Sequence, residues 1–342
     1  MIDCLDRWAR GWVLLVLGAG VLLNGCNDVG SESPEPGPAP TVDRRVAADL
    51  ETRIESIQSD MPREGSNGFV QPSTGDLEHW RTLIESLIDD DTTEVRSLID
   101  DHFPSYALIH FTDTTTGHTY RLVQEAPSVE VGWGTVVVNA APERNVAVEV
   151  PHPSFDLETH REGANLFRKT GARVLIVAGT HRCANRAASS CSGTTGVCGA
   201  DGPYRQSDMA HVIDAPFQVT HEAFVDRYPR ITAFSLHGNG QDRCETVFLS
   251  SGVEDDTPQP VRDLRQALLE RGVRASVPGT SSCPLVGSTN VQGRYTNGSP
   301  EPCRQAASSA TGTFIHVEQK LDFRQSEANY GALIDAVKAT FD

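Results

Sequence analysis

The sequence has little positive charge. It contains 29 lysines and arginines and 46 aspartates and glutamates, which gives a formal net charge of -17 at pH 7. Nucleic-acid phosphates require a basic surface, so this balance argues against a nucleic-acid partner. Net charge acts mainly on solubility and steering, and a local group of arginines could still bind a small anion.

Several motifs are also missing. The chain has no Cys-x-x-Cys pair, so a zinc–thiolate site is a weak alternative for its cysteines. It has neither a glycine-rich phosphate loop nor the repeated Asp/His motifs of a two-metal phosphoesterase, which makes that enzyme class a minor alternative. No internal repeat is present, and after the amino-terminal apolar run no further run is long enough to span a membrane.

The amino terminus has the pattern of a signal peptide. Arg7 and Arg10 precede the apolar run 12–23, which is short for a membrane span. The sequence Leu-Asn-Gly-Cys at 23–26 resembles the bacterial lipobox, which implies removal of residues 1–25 and lipidation of Cys26. We therefore expect an exported lipoprotein of the bacterial cell envelope, in the periplasm or at the cell surface, that touches the membrane only through this lipid. A plain secretory peptide with an incidental cysteine is the alternative.

Two segments precede the predicted main domain. Residues 26–44 predict a flexible linker, because their Ser, Glu, Pro and Gly content cannot bury a core. Residues 45–104 predict a helical segment, with Leu50, Ile54 and Ile57 at helical spacing. This segment carries no dense chemical motif, and we expect it to pack against or cap the domain that follows.

Short apolar runs alternate with helical patterns over residues 105–342. The alternation predicts one three-layer α/β domain with a central mixed sheet and helices on both faces, preceded by the short helical segment. The predicted strands are 107–111, 120–123, 135–138, 146–150, 174–178, 231–236, 246–249, 273–277 and 313–317. The predicted helices are 159–170, 215–226, 260–271 and 325–341.

Beyond residue 26 the number of cysteines is even, which predicts disulfides in an exported protein. The favoured pairing closes two loops rich in Gly, Ser or Pro and leaves the last two cysteines to pair by elimination. The predicted pairs are Cys191–Cys198, Cys283–Cys303 and Cys183–Cys244.

Two insertions, residues 182–206 and 278–310, are rich in Gly, Ser, Thr and Cys. Both follow strand-like runs. Ligands usually bind at the carboxyl ends of strands in open α/β sheets, so we expect both insertions to form walls of a site.

Ionisable residues stand at the ends of strand-like runs. His152 follows the run 146–150, and Asp156 comes just before a helix start. His237 ends the run 231–236 and is followed by glycine. Imidazole nitrogens and carboxylate oxygens on the ends of rigid strands can hold a divalent metal in an open coordination sphere. For His152 and Asp156 the alternative is an exposed histidine followed by an aspartate that caps a helix, and for His237 it is a purely structural role.

A late carboxylate completes this pattern. Glu318 follows the run 313–317 and shares one strand face with His316. A carboxylate on a buried strand face is costly unless it is paired or close to a metal, which favours a role as general base. The cluster Ser207-Asp208-x-x-His211 either orients a ligand histidine or caps a helix.

Arginines form the third element. Arg182 follows the run 174–178, Arg294 lies in the second insertion with Asn297 nearby, and Arg324 comes shortly after Glu318. A guanidinium can clamp a substrate carboxylate with two hydrogen bonds. For each arginine the alternative is a surface ion pair.

The order of these groups, a His with an acid, an Arg, a strand-end His and a late Glu, resembles the zinc carboxypeptidase-like superfamily. The likeness is greatest to its poly-γ-glutamate hydrolase and N-formylglutamate amidohydrolase types, and Phe155-Asp156-Leu157-Glu158-Thr159 matches the acid and helix-opening Thr of the former. The resemblance covers roughly residues 145–325. The resemblance implies a Zn2+ cofactor, Glu318 as the catalytic carboxylate, and as zinc ligands His152, Asp156 and His237, with Glu158 competing for the place of Asp156.

The chain also departs from that family. Carboxypeptidases proper use His-x-x-Glu, whereas the acid here is an Asp at a different spacing, and their Asn-Arg pair has no clear counterpart. We therefore expect hydrolysis of an N-acyl or γ-glutamyl amide in an acidic, small or peptide-like substrate. Arg182 and Arg294 would bind the substrate carboxylate and stabilise the oxyanion, with Asn297 and Arg324 as further contacts. The alternative is a non-enzymatic surface lipoprotein that binds an acidic ligand in a degenerate hydrolase pocket.

Overall fold

The computed structural model describes residues 43–341. Its centre is a mixed ten-stranded sheet. The strands are β1 (Asp43–Ala48), β2 (Tyr106–Asp113), β3 (Thr119–Glu125), β4 (Thr135–Asn139), β5 (Val146–Val150), β6 (Val174–Val177), β7 (Thr194–Thr195), β8 (Gly202–Pro203), β9 (Thr232–Gly238), β10 (Val247–Ser250), β11 (Ala275–Ser276) and β12 (Phe314–Gln319). The expected signal peptide, the anchor at Cys26 and most of the expected linker lie outside the described residues.

The helices are α1 (Leu50–Ser59), α2 (Thr74–Ile88), α3 (Thr92–His102), α4 (Thr159–Thr170), α5 (Pro216–Arg227), α6 (Gln259–Glu270), α7 (Val291–Thr296), α8 (Leu321–Arg324) and α9 (Glu327–Thr340). A short 3-10 helix covers Met209–His211. Within residues 43–341, none of the helices combines the length and the apolar character that a membrane crossing requires.

The order of strands in the sheet is β1-β2-β3-β4-β6-β5-β9-β12-β10-β11, while β7 and β8 form a separate ribbon. The four central strands β6, β5, β9 and β12 are mutually parallel, and β4 and β10 run antiparallel to them on either side. The predicted α/β class with a mixed central sheet is confirmed. Because the central strands are parallel, their carboxyl ends meet along one edge of the sheet.

Helices cover both faces of the sheet. One buried cluster joins apolar residues of α1, α4, α6 and α9 to one face, and a second joins those of α2, α3 and α5 to the other. The central strands are buried throughout, as their near-continuous apolar sequences require. The result is the expected arrangement of three layers.

The segment 45–104 differs in detail from the sequence expectation. Its first residues form β1, which pairs in parallel with β2, rather than the start of a helix. The residues of β1 alternate in exposure along this edge of the sheet, and Asp49 then caps α1 by accepting a hydrogen bond from the amide of Thr52. The segment thus supplies an edge strand and places helices in both layers.

The predicted disulfide pairing is wrong. The bonds in the described chain are Cys183–Cys198, Cys191–Cys303 and Cys244–Cys283. Cys191 and Cys303 are 112 residues apart in sequence and bond because both insertions fold over the same edge of the sheet. Loop composition reports only on local closure, so it could not reveal a bond that joins one insertion to the other.

One buried acid lies beneath the central strands. Glu162 of α4 is fully buried, and its Oε2 accepts a hydrogen bond of 2.9 Å from Nε2 of Gln319. Its other oxygen has no hydrogen-bond partner. Burial raises the pKa of Glu162 to about 7, because the ionised form loses hydration that these contacts do not replace.

Replacing Glu162 with Gln should therefore change how stability depends on pH. A carboxyl group whose pKa is raised by folding stabilises the native state at low pH, and that stability is lost as pH rises from about 4.5 through about 7. From pH 5 to pH 8 the free energy of unfolding of E162Q, relative to that of the unmodified chain, should rise by on the order of 3 kcal/mol. Urea denaturation at both pH values measures this gain. An equal difference at the two pH values would contradict the expectation, and E327Q, at an exposed site, is the control.

Candidate metal centre

Adjacent central strands bring the predicted ligands together. His152 follows β5, His237 is the penultimate residue of β9, and Glu318 in β12 pairs in register with His237. All three side chains are buried and line one cleft. Because neighbouring strands are parallel, residues that are far apart in sequence meet at one site.

Asp156 lies between the two histidines. Its Oδ2 is 3.2 Å from Nδ1 of His152 and 3.4 Å from Nδ1 of His237. Ligands bound to zinc at about 2.0–2.2 Å in a tetrahedron lie about 3.4 Å from one another. The three atoms therefore fit around a single metal ion, and the donor set of two imidazoles and one carboxylate suits zinc.

A tight turn after β5 sets this geometry. The backbone amides of Phe155 and Asp156 both donate to the carbonyl of His152, and the Thr159 hydroxyl donates to the carbonyl of Asp156. The turn carries Glu158 away from the centre, with a left-handed φ of 72°, to an ion pair with Arg161. Between the two acids left open by the sequence, the structure thus brings Asp156 to the histidines.

The protonation of the candidate ligands suits metal binding. Burial lowers the pKa of His237 to about 4, so its ring is neutral at neutral pH. Burial by itself would raise the pKa of Asp156, but its contacts with the imidazoles of His152 and His237 hold that pKa below its ordinary value. A neutral imidazole and an ionised carboxylate are the forms that bind a metal.

Asp208 supports the centre from behind. Its Oδ1 lies 2.7 Å from Nε2 of His152 and 3.0 Å from Nδ1 of His211, and its Oδ2 accepts two hydrogen bonds from Arg182. A proton held on Nε2 of His152 leaves Nδ1 as the free donor atom that faces Asp156. Although Asp208 precedes the 3-10 helix, its side chain makes no capping bond there. Of the two roles weighed for the cluster at 207–211, the contacts match the orienting one.

Glu318, the acid beside the candidate ligands, has a strongly shifted pKa. Burial, followed by the charge of Asp156, raises the pKa of Glu318 well above its ordinary value. One of its carboxylate oxygens, Oε2, has no hydrogen-bond partner. His316 lies on the same face of β12, as the alternation predicted, and its ring centroid is 4.4 Å from that of His237.

The cleft has a volume of about 360 Å³ and is walled by both insertions, as expected. The first insertion contributes Tyr204, whose hydroxyl donates to Oγ1 of Thr289 in the second insertion. Thr289 also lies 3.1 Å from Nε2 of His211, so hydrogen bonds run from the two walls to Asp208. Sequence reasoning missed Tyr204 and Thr289, because each is an isolated polar residue in a long loop with no pattern around it.

Only one of the predicted arginines lines the cleft. Arg182 is buried there. Burial alone would lower its pKa, but the carboxylates of Asp208, Asp156 and Glu318 together raise it. The other predicted substrate contacts do not line this cleft but hold backbone carbonyls elsewhere. Arg294 donates to Ser288 and Pro302, Asn297 to Ser251, and Arg324 to Leu157 and Gln319.

The structure does not place these three side chains on the wall of the cleft. Arg294 and Asn297 anchor the second insertion, and Arg324 packs so closely against Gly238 that a Cβ at that position would overlap its guanidinium. Each side chain is buried and meets acceptors that the folded loops present. The sequence showed basic and amide groups in suitable segments but could not show which way they point.

No protein-family model matches the chain, and no curated protein matches it significantly. Among solved structures, the chain is similar to a gene product of Agrobacterium tumefaciens, with 10% identity over 60% of this chain and 91% of that chain and a TM-score of 0.36. It is also similar to a metallo-carboxypeptidase from Burkholderia cenocepacia (10% identity, 70% of this chain and 64% of that chain, TM-score 0.32). A third neighbour is succinylglutamate desuccinalase from Vibrio parahaemolyticus (12% identity, 69% and 77%, TM-score 0.36). At these identities and TM-scores the similarities say nothing about the activity of this chain.

Replacing Asp208 with Asn should weaken metal binding without removing any of the three candidate ligands. The amide cannot hold the His152 ring as a carboxylate does, and loss of such a partner lowers metal affinity by roughly 10–100-fold. Competition with a chromophoric chelator measures the affinity. D214N, which changes an acid outside the cleft, is the matched control. Unchanged affinity in a folded D208N protein would show that Asp208 does not orient the ligand.

Proposed function

We propose that this chain is a zinc-dependent hydrolase that cleaves an amide bond, of the N-acyl or γ-glutamyl type, in a carboxylate-bearing substrate. The main support is that one buried carboxylate, that of Asp156, lies 3.2–3.4 Å from Nδ1 of both His152 and His237. A buried carboxylate beside a buried carboxyl such as Glu318 is costly to keep unless the site serves ligand binding or catalysis.

A divalent metal held by His152, Asp156 and His237 would polarise the scissile carbonyl and lower the pKa of a water toward about 7. The chain's own groups supply the rest of the chemistry. Glu318 has a ligand-capable oxygen within 4.8 Å of the His237 ring nitrogen, so it stands beside the metal ligands. As a general base, Glu318 would take a proton from the attacking water and deliver it to the leaving amine.

Arg182 is the candidate for binding the substrate. It is the only arginine among the residues that line the cleft in the described chain. Its Nε and Nη2 bond to Asp208, which fixes the orientation of the guanidinium. A guanidinium fixed in this way can stabilise a developing oxyanion or receive a substrate carboxylate with little loss of entropy.

The proposed setting is the bacterial cell envelope. Three disulfides within residues 43–341 are consistent with an oxidising compartment. Together with the lipobox-like sequence at 23–26, they support an exported protein that is held at the membrane by a lipid on Cys26. The proposed partners are acidic, peptide-like or small substrates outside the cytoplasm, and no nucleic acid.

The proposal predicts a separation of metal binding from turnover. H152A and H237A should lose the metal ion, whereas E318Q should retain it and lose at least about 100-fold in turnover, as expected for a general base. The substrates to screen with added zinc are N-acyl amino acids, poly-γ-glutamate and peptidoglycan fragments. E254Q, which changes an acid outside the cleft, is the control.

Elemental analysis gives the metal content of each variant. Purified protein without stoichiometric metal, or H152A and H237A with unchanged metal content, would overturn the site. Bound metal with no turnover on any substrate would favour the non-enzymatic binding protein.

A further inference from the structure

A second cavity lies outside the metal cleft. It has a volume of about 260 Å³ and shares no lining residue with the cleft. Its lining comes from β1, α1, the end of β3 and the segment that follows β3, together with two glycines that precede β4 and follow β6. Two cations belong to this lining, Arg44 of β1 and Arg53 of α1. The cavity is therefore a separate feature with a positive charge of its own.

Arg53 is held in a fixed orientation. Its Nε and Nη2 donate to Oε1 of Gln124 at 3.1 Å and 2.9 Å. The Gln124 amide is itself oriented, because its Nε2 donates to the carbonyl of Glu125. Nη1 of Arg53 has no hydrogen-bond partner in the described chain. A guanidinium that is fixed in this way and has N–H groups to spare can receive an oxyanion with little loss of entropy.

The charge of Arg53 has no acidic partner within residues 43–341. The side chain is half-buried, and the one charged group that acts on it appreciably is Arg44. Burial, followed by this like charge, lowers the pKa of Arg53. Two positive charges beside a partly buried cavity are costly unless an anion compensates them.

The acids that line the cavity do not neutralise Arg53. Glu125 is buried, and its carboxylate accepts hydrogen bonds of 2.7–2.9 Å from the backbone amides of residues 130–132. Asp60 is exposed and does not pair with Arg53. The compensating negative charge must therefore come from outside the described chain.

The size of the cavity limits the ligand. Its volume of about 260 Å³ lies below the range of roughly 300–1,000 Å³ that is typical of sites for drug-sized molecules. The exposed residues Ser56 and Ser128 also line it and supply hydroxyl donors. A guanidinium matches both a carboxylate and a phosphate with two parallel hydrogen bonds. The cavity thus suits a small oxyanion rather than a segment of an acidic polymer.

We propose that this cavity is a binding site for a small oxyanion, a carboxylate or a phosphate, which is held by the guanidinium groups of Arg44 and Arg53. The net charge of -17 does not oppose such a site, because charges in a pocket act at short range. The site uses none of the residues of the candidate metal centre. It is therefore independent of the proposed hydrolase activity.

Calorimetric titration of the full-length chain with sodium phosphate and, separately, with sodium succinate tests this inference. No metal is added, so that an ion in the cleft does not compete for the anion. At least one of the two anions should bind, and the one that binds identifies phosphate or carboxylate as the ligand chemistry. R53Q should weaken this binding by roughly 10-fold or more, because it removes a charge-assisted hydrogen-bond donor. R304Q, which changes an exposed arginine outside the cavity, is the matched control and should bind as the unmodified chain does.

Q124E provides a second test that keeps both arginines. The new carboxylate would lie against Arg53 and act as its counter-ion, so the variant should weaken anion binding as R53Q does. Thermal unfolding shows whether each variant is folded. Absence of binding of both anions to the unmodified chain up to millimolar concentration would overturn the proposal. Unchanged affinity in folded R53Q or folded Q124E would also overturn it, and would place the bound anion elsewhere. Neither result bears on the proposed hydrolase.

Discussion

The carboxylate of Asp208 connects the parts of the site. It is fully buried and contacts one guanidinium and two imidazoles, so its charge is balanced inside the protein. Its partners come from different places: His152 follows β5, Arg182 follows β6, and His211 ends the 3-10 helix. A charge that is buried in this way must keep all its partners, because removing one of them leaves an uncompensated ion at a cost of several kcal/mol. The position of the candidate metal ligand is therefore tied to that of the cleft arginine.

Around this connection, the disulfides hold the walls of the cleft. The bond Cys191–Cys303 joins the first insertion to the second, and Cys183–Cys198 closes the first on itself. Long loops without regular structure would lose much conformational entropy on adopting one arrangement, and covalent links reduce that loss by restricting the unfolded chain. The hydrogen bonds of Tyr204 and Thr289 then connect these walls to His211. The floor of the cleft is rigid because it is sheet, and its walls are ordered because they are cross-linked.

The arrangement of acids explains why the site favours a cation. Asp156, Asp208 and Glu318 all lie within one buried region, and Arg182 forms its ion pair with Asp208. Contacts with imidazoles keep the pKa of Asp156 low. Burial raises the pKa of Glu318, which favours its protonated form. A divalent ion at the proposed zinc site would compensate this excess of acidic groups.

Local patterns in the sequence were sufficient for the central strands and for most of the residues that meet at the candidate site. Alternation and apolar runs report on backbone periodicity, so they located the central strands and the helix Thr159–Thr170, and strand ends then pointed to His152, His237 and Glu318. The tertiary structure alone decided the disulfide pairs, the edge strand Asp43–Ala48, the role of Asp208 and the direction of Arg294. These features depend on which distant segments meet in space, and a one-dimensional pattern contains no information about that contact.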